Sequence, residues 1–157
     1  MPPADRQALK QKFVEFLGKR DLRMTSQRDA ILQSVFGTEE HFTADQLLEW
    51  ARKIDASVSR ATVYRTLPLL TECGLLREMD FGKDHKFYDP NYNEHPNHSH
   101  IICQDCERIV EFDSEKIVKL EDEISNKLGF KVRSQKLQIT ASCEEFKARG
   151  ACAKKRH

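Results

Sequence analysis

The sequence lacks any long apolar run, and no stretch within its 157 residues approaches the length of a transmembrane helix. Its first seven residues also lack the apolar core of a signal peptide. The chain is therefore expected to be soluble and cytoplasmic, with no membrane partner. In that compartment the five cysteines are expected to be metal ligands or buried thiols rather than disulfides.

Net charge is also nearly absent, because 26 basic residues face 25 acidic ones. Overall charge therefore does not argue for a nucleic-acid partner. The distribution is less even, since residues 1–28 hold seven basic and three acidic side chains. From charge alone, this local excess of +4 is expected of a solvated helix face.

Short helices are predicted for the first half of the chain. Gly18 suits the end of a first helix, and Thr25 suits the start of a second. Thr43–Gln46 has the form of a capping box before a third helix, and Ser59 suits the start of a fourth. Pro68 falls inside the fourth helix, where it should bend the helix or remove a hydrogen bond.

A β-hairpin is predicted next, with strands at residues 75–81 and 86–89 around a turn at 82–85. Helices followed by a hairpin form the layout of a winged helix-turn-helix domain, assigned here to residues 1–89. Residues 90–97 hold two prolines and three asparagines and are predicted to be a hinge linker.

Residues 98–157 are predicted to form a small α/β domain, which makes the whole chain α+β. Strands are expected at residues 101–103 and 108–112, and a helix at 114–128 ends before Gly129. Apolar and polar residues alternate over 130–141, which predicts a further strand.

Four cysteines of this second domain predict a structural zinc site. Cys103 and Cys106 form a Cys-x2-Cys turn, which places two thiolates on one ion. Cys143 and Cys152 would complete an all-sulfur site, although the eight residues between them are wider than the usual spacing. The alternative is that Cys143 ligates and Cys152 is only a tail thiol. Cys73, at the end of a helix, is expected to be a packed thiol.

A second metal site is predicted from histidines and carboxylates. His98 and His100 alternate, so in a strand they project from one face beside the cysteine turn. The carboxylates within reach are Asp89 and Glu111, and His41 is the remaining candidate ligand. Such a donor set suits an exchangeable divalent metal rather than a closed structural one.

Several motifs, in order along residues 13–143, together resemble the ferric uptake regulator (Fur) family. They are Arg23-Met-Thr-Ser-Gln-Arg28, His41-Phe-Thr-Ala-Asp-Gln-Leu47, the segment from Ser59 to Leu76, His98-x-His100-x-x-Cys103-x-x-Cys106, and Ile109-Val-Glu-Phe112. The resemblance implies a metal-dependent transcriptional repressor and not an enzyme. It implies an N-terminal winged-helix domain that binds double-stranded operator DNA, and a C-terminal domain that forms a homodimer.

The resemblance also implies roles for individual DNA-binding residues. The helix from Ser59 would be the recognition helix, and Tyr64 and Arg65 on it would reach base edges. Arg23 would approach the minor groove. Phosphates would be contacted by Arg28, Arg60 and Thr62, although Arg60 and Thr62 suit helix capping and solvation equally well.

In the family, the regulatory metal is held by residues that match His41, Asp89, His98, His100 and Glu111. The first two precede the linker and the other three follow it. Metal binding would therefore fix the angle between the domains and the spacing of two recognition helices on successive DNA half-sites. Fe(II) is the expected metal, with Mn(II) and Zn(II) as alternatives.

The chain departs from the family pattern in two respects. A further site found in many members is predicted to be absent, since the matching residues are not good ligands: Asn97, Ser99, Val118 and Gln135. Asp89 stands where iron sensors of the family usually have Glu and where its peroxide sensors also have Asp. Glu111 stands where those peroxide sensors have Asp.

Iron-responsive repression is the leading hypothesis, and peroxide sensing and zinc sensing within the same family are the alternatives. A hydrolase or oxygenase centre would need an open coordination position, a substrate pocket and a spare general base. No acid is left for that role and no small-molecule substrate is expected. A metal-buffering protein would not need Tyr64 and Arg65.

Overall fold

A computed structural model describes residues 3–82, 84–90, 99–133, 135 and 137–150, with side chains from Arg6 onwards. The chain divides into two units, Met1–Glu94 and His95–His157. None of the helices in the described ranges is long and apolar enough to span a bilayer.

The first unit combines helices with a small antiparallel sheet. Its elements are α1 Pro3–Gly18, α2 Ser26–Phe36, β1 Phe42–Thr43, α3 Ala44–Ile54, α4 Arg60–Glu72, β2 Arg77–Met79 and β3 Phe87–Asp89. The sheet order is β1-β3-β2, and both strand pairs are antiparallel. The predicted helices and hairpin are confirmed. Strand β1 was not predicted, because two residues are too few to show an alternating pattern.

Side-chain caps define where three of these helices begin. The Thr25 hydroxyl accepts a hydrogen bond from the Arg28 N–H at 3.2 Å, and the Ser59 hydroxyl accepts one from the Thr62 N–H at 3.1 Å. At α3, Thr43 and Gln46 form a reciprocal capping box. Each cap satisfies a first-turn N–H that has no partner within the helix, which confirms the predicted starts.

Removing the α3 cap should measurably destabilise the protein. Thr43→Ala is expected to lower the free energy of unfolding by about 1 kcal/mol, because the Gln46 N–H loses its acceptor. Thr43→Ser keeps the hydroxyl and should retain most of the stability. Urea denaturation of both variants measures the difference, and equal losses in the two would contradict a capping role.

The core of the first unit lies between its helices. Its best-buried large side chains come from all four helices and are at most 1% exposed: Phe13, Leu17, Ile31, Leu47, Leu67 and Leu70. Helix α4 continues through Pro68, whose side chain faces solvent. It ends at Glu72. In the turn that follows, Gly74 has a φ of 75°, which lets the Leu75 N–H bond back to the Leu70 carbonyl. The recognition-helix candidate is thus anchored along one face and capped at both ends.

The second unit is built on a mixed sheet. Its elements are β4 Ser99–Cys103, β5 Ile109–Phe112, α5 Glu115–Lys127, β6 Gln138–Ala141 and α6 Glu144–Arg149. The sheet order is β5-β4-β6, with β4 antiparallel to β5 and parallel to β6. The α+β class predicted for the chain is confirmed.

The strand predicted over residues 130–141 is wrong in its first part, since among the described residues of this range only Gln138–Ala141 are in a strand. Gly129 has a φ of 84°, and the Phe130 N–H bonds back to the Ser125 carbonyl at 2.8 Å. Phe130 therefore lies in the turn that closes α5, and the residue is 70% exposed. The alternation of apolar and polar residues predicted a strand here, but an alternating pattern does not reveal a hydrogen bond that closes the end of a helix.

The second unit leaves much apolar surface uncovered. In the chain that the structure describes, no residue of α5 is buried. The exposed apolar side chains of this unit range from 40% to 70% accessible: Val118, Leu120, Ile124, Leu128, Phe130 and Ile139. Several strongly exposed apolar side chains on one small domain are characteristic of a protein-protein interface.

Candidate metal centres and nucleic-acid interface

Three of the four predicted zinc ligands lie together in the second unit. Cys103 ends β4, Cys106 closes the turn that follows, and Cys143 directly precedes α6. Their sulfur atoms all lie within 4.8 Å of one another. Tetrahedral zinc with bonds of about 2.3 Å needs sulfur atoms about 3.8 Å apart, so this donor set fits the ion.

Local hydrogen bonds favour the ligating form of Cys103. Burial raises the pKa of its thiol, but hydrogen bonds from the backbone of Cys106 and Asp105 outweigh burial, and the pKa is lowered overall. The thiolate is the form that binds metal. The turn thus prepares a zinc ligand as well as placing it.

Asp105, inside the turn, takes part in this site and was not predicted. Its Oδ2 atom accepts a hydrogen bond from the Cys143 N–H at 2.8 Å, across 38 residues of sequence. Glu107, just after the turn, has a φ of 61°, which is uncommon for a residue with a Cβ. An aspartate between two ligating cysteines was the available signal, but its partner could not be inferred from local sequence.

Of the two remaining cysteines, the structure describes Cys73 but not Cys152. Cys152 lies outside the described residues, so its zinc-ligand role stays a prediction. Cys73 is 7% exposed in the first unit, and burial raises the pKa of its thiol, an effect that Lys12 partly offsets. Its expected role as a packed thiol is confirmed.

In the first unit, His41 and Asp89 lie close together. His41 precedes β1 and Asp89 ends β3. The His41 Nε2 atom lies 3.9 Å from Oδ2 of Asp89, and the two side chains are 14% and 5% exposed. One imidazole and one carboxylate, both shielded from water, form a donor pair suited to a divalent metal.

In the second unit, His100 and Glu111 are direct partners across β4 and β5. The His100 Nε2 atom lies 3.4 Å from Oε1 of Glu111, and the imidazole is only 3% exposed. His98 lies outside the described residues. This second imidazole–carboxylate pair fits the same class of metal as the first.

Helix α4 presents the predicted base-reading residues to solvent. Tyr64 is 52% exposed, and Arg65 is also exposed. An aromatic ring of that exposure on an otherwise well-packed domain suggests a binding surface.

The other predicted DNA contacts also make bonds within the chain. Arg60 pairs with Asp45 at 2.6 Å while its side chain stays 62% exposed. The Thr62 hydroxyl lies 2.8 Å from that of Ser59, so it belongs to the helix cap. Arg28 donates to the carbonyl of Arg23 at 2.5 Å.

The structure describes three of the four residues at the further family site that is predicted to be absent. Ser99 pairs with Phe112 in the sheet, and Gln135 donates to Asp122 at 3.4 Å. Val118 carries an aliphatic side chain that is 41% exposed. Asn97 lies outside the described residues, and the absence of this site stays a prediction.

Comparison with known proteins gives a consistent result. The ferric uptake regulator family model matches residues 19–140. The ferric uptake regulation protein of Synechococcus elongatus is 36% identical over 81% of this chain and 87% of its own length. The peroxide-responsive repressor PerR of Staphylococcus epidermidis is 29% identical over 89% of this chain and 91% of its own length.

A solved structure extends the likeness to the fold. The ferric uptake regulator of Helicobacter pylori superposes with a TM-score of 0.80, covering 90% of this chain and 93% of that one at 23% identity. These relatives are regulators rather than enzymes, as predicted. The family model, the sequence relatives and the fold agree, and the chain belongs to the ferric uptake regulator family of metal-responsive regulators.

Proposed function

We propose that this protein is a metal-dependent transcriptional repressor that binds double-stranded operator DNA as a homodimer and responds to Fe(II). The observation that carries the proposal is helix α4, which is capped and packed along one face and exposes Tyr64 and Arg65 on the other. Arginine can bond guanine through two N–H groups, and tyrosine can pack against a thymine methyl. Neither exposed side chain is needed for the core of the first unit.

The proposed regulatory metal is held by His41, Asp89, His98, His100 and Glu111. The shielded His41–Asp89 pair and the His100–Glu111 pair, in which the imidazole is buried and the carboxylate is exposed, support this set, since each offers an imidazole and a carboxylate. When bound, the metal would fix the spacing of the two recognition helices in the dimer. Only one such spacing matches half-sites one DNA turn apart. The thiolate cluster would hold a separate structural zinc.

The proposed dimer interface is the apolar surface of α5 and β6. Four apolar side chains on these two elements remain at least 40% exposed in the single chain, and so do Leu128 and Phe130, which follow α5: the four are Val118, Leu120, Ile124 and Ile139. A second copy of the same surface would cover them, as in a symmetric interface. The net charge of the chain is only +1, so it gives no reason to expect a strongly charged protein rather than a second copy on this surface.

The central experiment titrates DNA binding against each metal. Duplexes selected by the Mn(II)-loaded protein from a random library serve as probes in gel shifts with Fe(II) under anaerobic conditions, Mn(II), Zn(II) or chelator. The duplex is expected to be shifted only when metal is present, and the shift should weaken steeply as salt rises. Of the three metals, Fe(II) should be the one whose saturating free concentration is lowest relative to its supply in the cell. Equal retention in chelator would contradict metal dependence, and saturation by Zn(II) alone would favour zinc sensing.

Arg65→Ala should weaken binding to the selected duplex by about 5- to 150-fold, because one bidentate base contact contributes about 1–3 kcal/mol. Lys53→Ala is the matched control, since Lys53 is 71% exposed on the neighbouring α3. Gel shifts of both variants at one salt concentration measure the effect. Parental affinity in Arg65→Ala would remove this residue from the interface.

Peroxide sensing is the second candidate, favoured by Asp89 at the end of β3 and by the likeness to a peroxide-responsive repressor. In that case peroxide should add one oxygen to a ligand histidine such as His41 or His100 in Fe(II)-loaded protein. Mass spectrometry of proteolytic peptides detects the adduct, and Mn(II)-loaded protein is the control. Unmodified histidines after loss of DNA binding would exclude this candidate.

A further inference from the structure

Asp89 has a cationic partner within the first unit that the predicted ligand set does not include. Arg77 on β2 lies directly opposite Asp89 on β3 in the strand register. Its Nη2 atom bonds Oδ2 of Asp89 at 3.0 Å, and the two side chains are 30% and 5% exposed. The bond is therefore a largely shielded ion pair, and not a surface contact weakened by solvent.

The same carboxylate oxygen faces His41. The Oδ2 atom that accepts from Arg77 is also the one 3.9 Å from His41 Nε2. A metal held by His41 and Asp89 would therefore share this oxygen with a guanidinium group. A carboxylate oxygen has two lone pairs and can serve both, but the two cations then repel each other at short range.

We propose that Arg77 sets the metal affinity of the regulatory site by holding a fixed positive charge on Asp89. This inference rests on the proposed function, in which His41 and Asp89 are metal ligands. Arg77 weakens metal binding by repulsion, and it also keeps the buried carboxylate paired in the metal-free protein, so the site stays preformed.

The test separates the charge of Arg77 from its hydrogen bond. Arg77→Gln keeps an N–H donor but removes the charge, and it should tighten Mn(II) binding about tenfold, because the repulsion between the guanidinium group and the metal ion is lost. Arg77→Lys keeps the charge and should remain close to the parent. Competition with a chelating dye measures affinity in the full-length protein. Lys86→Gln is the control, because it removes a charge from the same hairpin at the exposed Glu78 pair.

Unchanged or weaker Mn(II) binding in Arg77→Gln, with parental zinc content and melting temperature, would overturn the inference. If Arg77→Gln does not fold, Arg77→Lys decides, since weaker binding there would identify Arg77 as a positioning residue only. Asp89→Asn tests the site itself. If that variant binds Mn(II) like the parent, the proposed ligand set is wrong. If it loses binding while Arg77→Gln is unchanged, only the role of Arg77 fails.

Discussion

Replacing Cys106 with serine should remove zinc from the protein and unfold the second unit. Cys106 is 1% exposed, and its sulfur lies within 4.8 Å of those of Cys103 and Cys143. Structural zinc sites contribute roughly 10 kcal/mol or more to folding. The small second unit has few buried side chains. The free energy of folding lost with the zinc therefore exceeds what burial in its core contributes.

Zinc content of purified protein and far-ultraviolet circular dichroism measure this effect. Cys73→Ala is the matched control, because it removes a buried thiol from the first unit, whereas the cluster belongs to the second. It should keep the parental zinc content and lose stability only through a small cavity. A Cys106→Ser protein with stoichiometric zinc and parental melting would show that the cluster is not a structural site.

The same assay decides the fourth ligand. Cys152→Ser should lose zinc to a chelator faster than the parent if Cys152 completes the tetrahedron, as its sequence position predicts. Parental retention would assign the fourth position to another donor and leave Cys152 as a tail thiol. Asp105→Asn is a useful comparison for Cys152→Ser, since it removes no thiolate and only weakens the hydrogen bond that holds Cys143 at the turn.

Sequence reasoning succeeded where structure is determined by neighbouring residues. Caps at Thr25, Thr43 and Ser59 each act within one helical turn, so the starts of α2, α3 and α4 could be predicted. The Cys103–Cys106 turn is equally local. Both kinds of signal depend on residues three positions apart.

Prediction failed where a contact crosses long stretches of sequence. Pairing of β6 with β4 in parallel, and of Asp105 with Cys143, joins residues more than 35 positions apart. Helix α6 was missed because its six residues are too few for a periodic pattern. Likewise, Arg77 and Asp89 are paired by the hairpin register, and a window along the sequence does not show which charges face each other.

His100→Ala should abolish metal-dependent DNA binding while leaving structural zinc in place. His100 is 3% exposed, and its Nε2 atom faces Glu111 at 3.4 Å. Loss of an inner ligand should weaken the regulatory site by at least about 100-fold, since changes outside the ligand shell alone reach that range. The variant would then remain metal-free at concentrations that saturate the parent.

Metal-induced stabilisation provides a readout that does not depend on DNA. At a free Mn(II) concentration 100 times the dissociation constant, the parent should gain about 2.7 kcal/mol. His100→Ala should gain almost nothing, whereas the control His85→Ala, in the β2–β3 hairpin, should gain as much as the parent. Zinc content and metal-free melting of all three proteins separate ligand loss from unfolding. If His100→Ala keeps both its zinc and the Mn(II)-induced gain, His100 is a buried packing residue and the regulatory metal binds elsewhere.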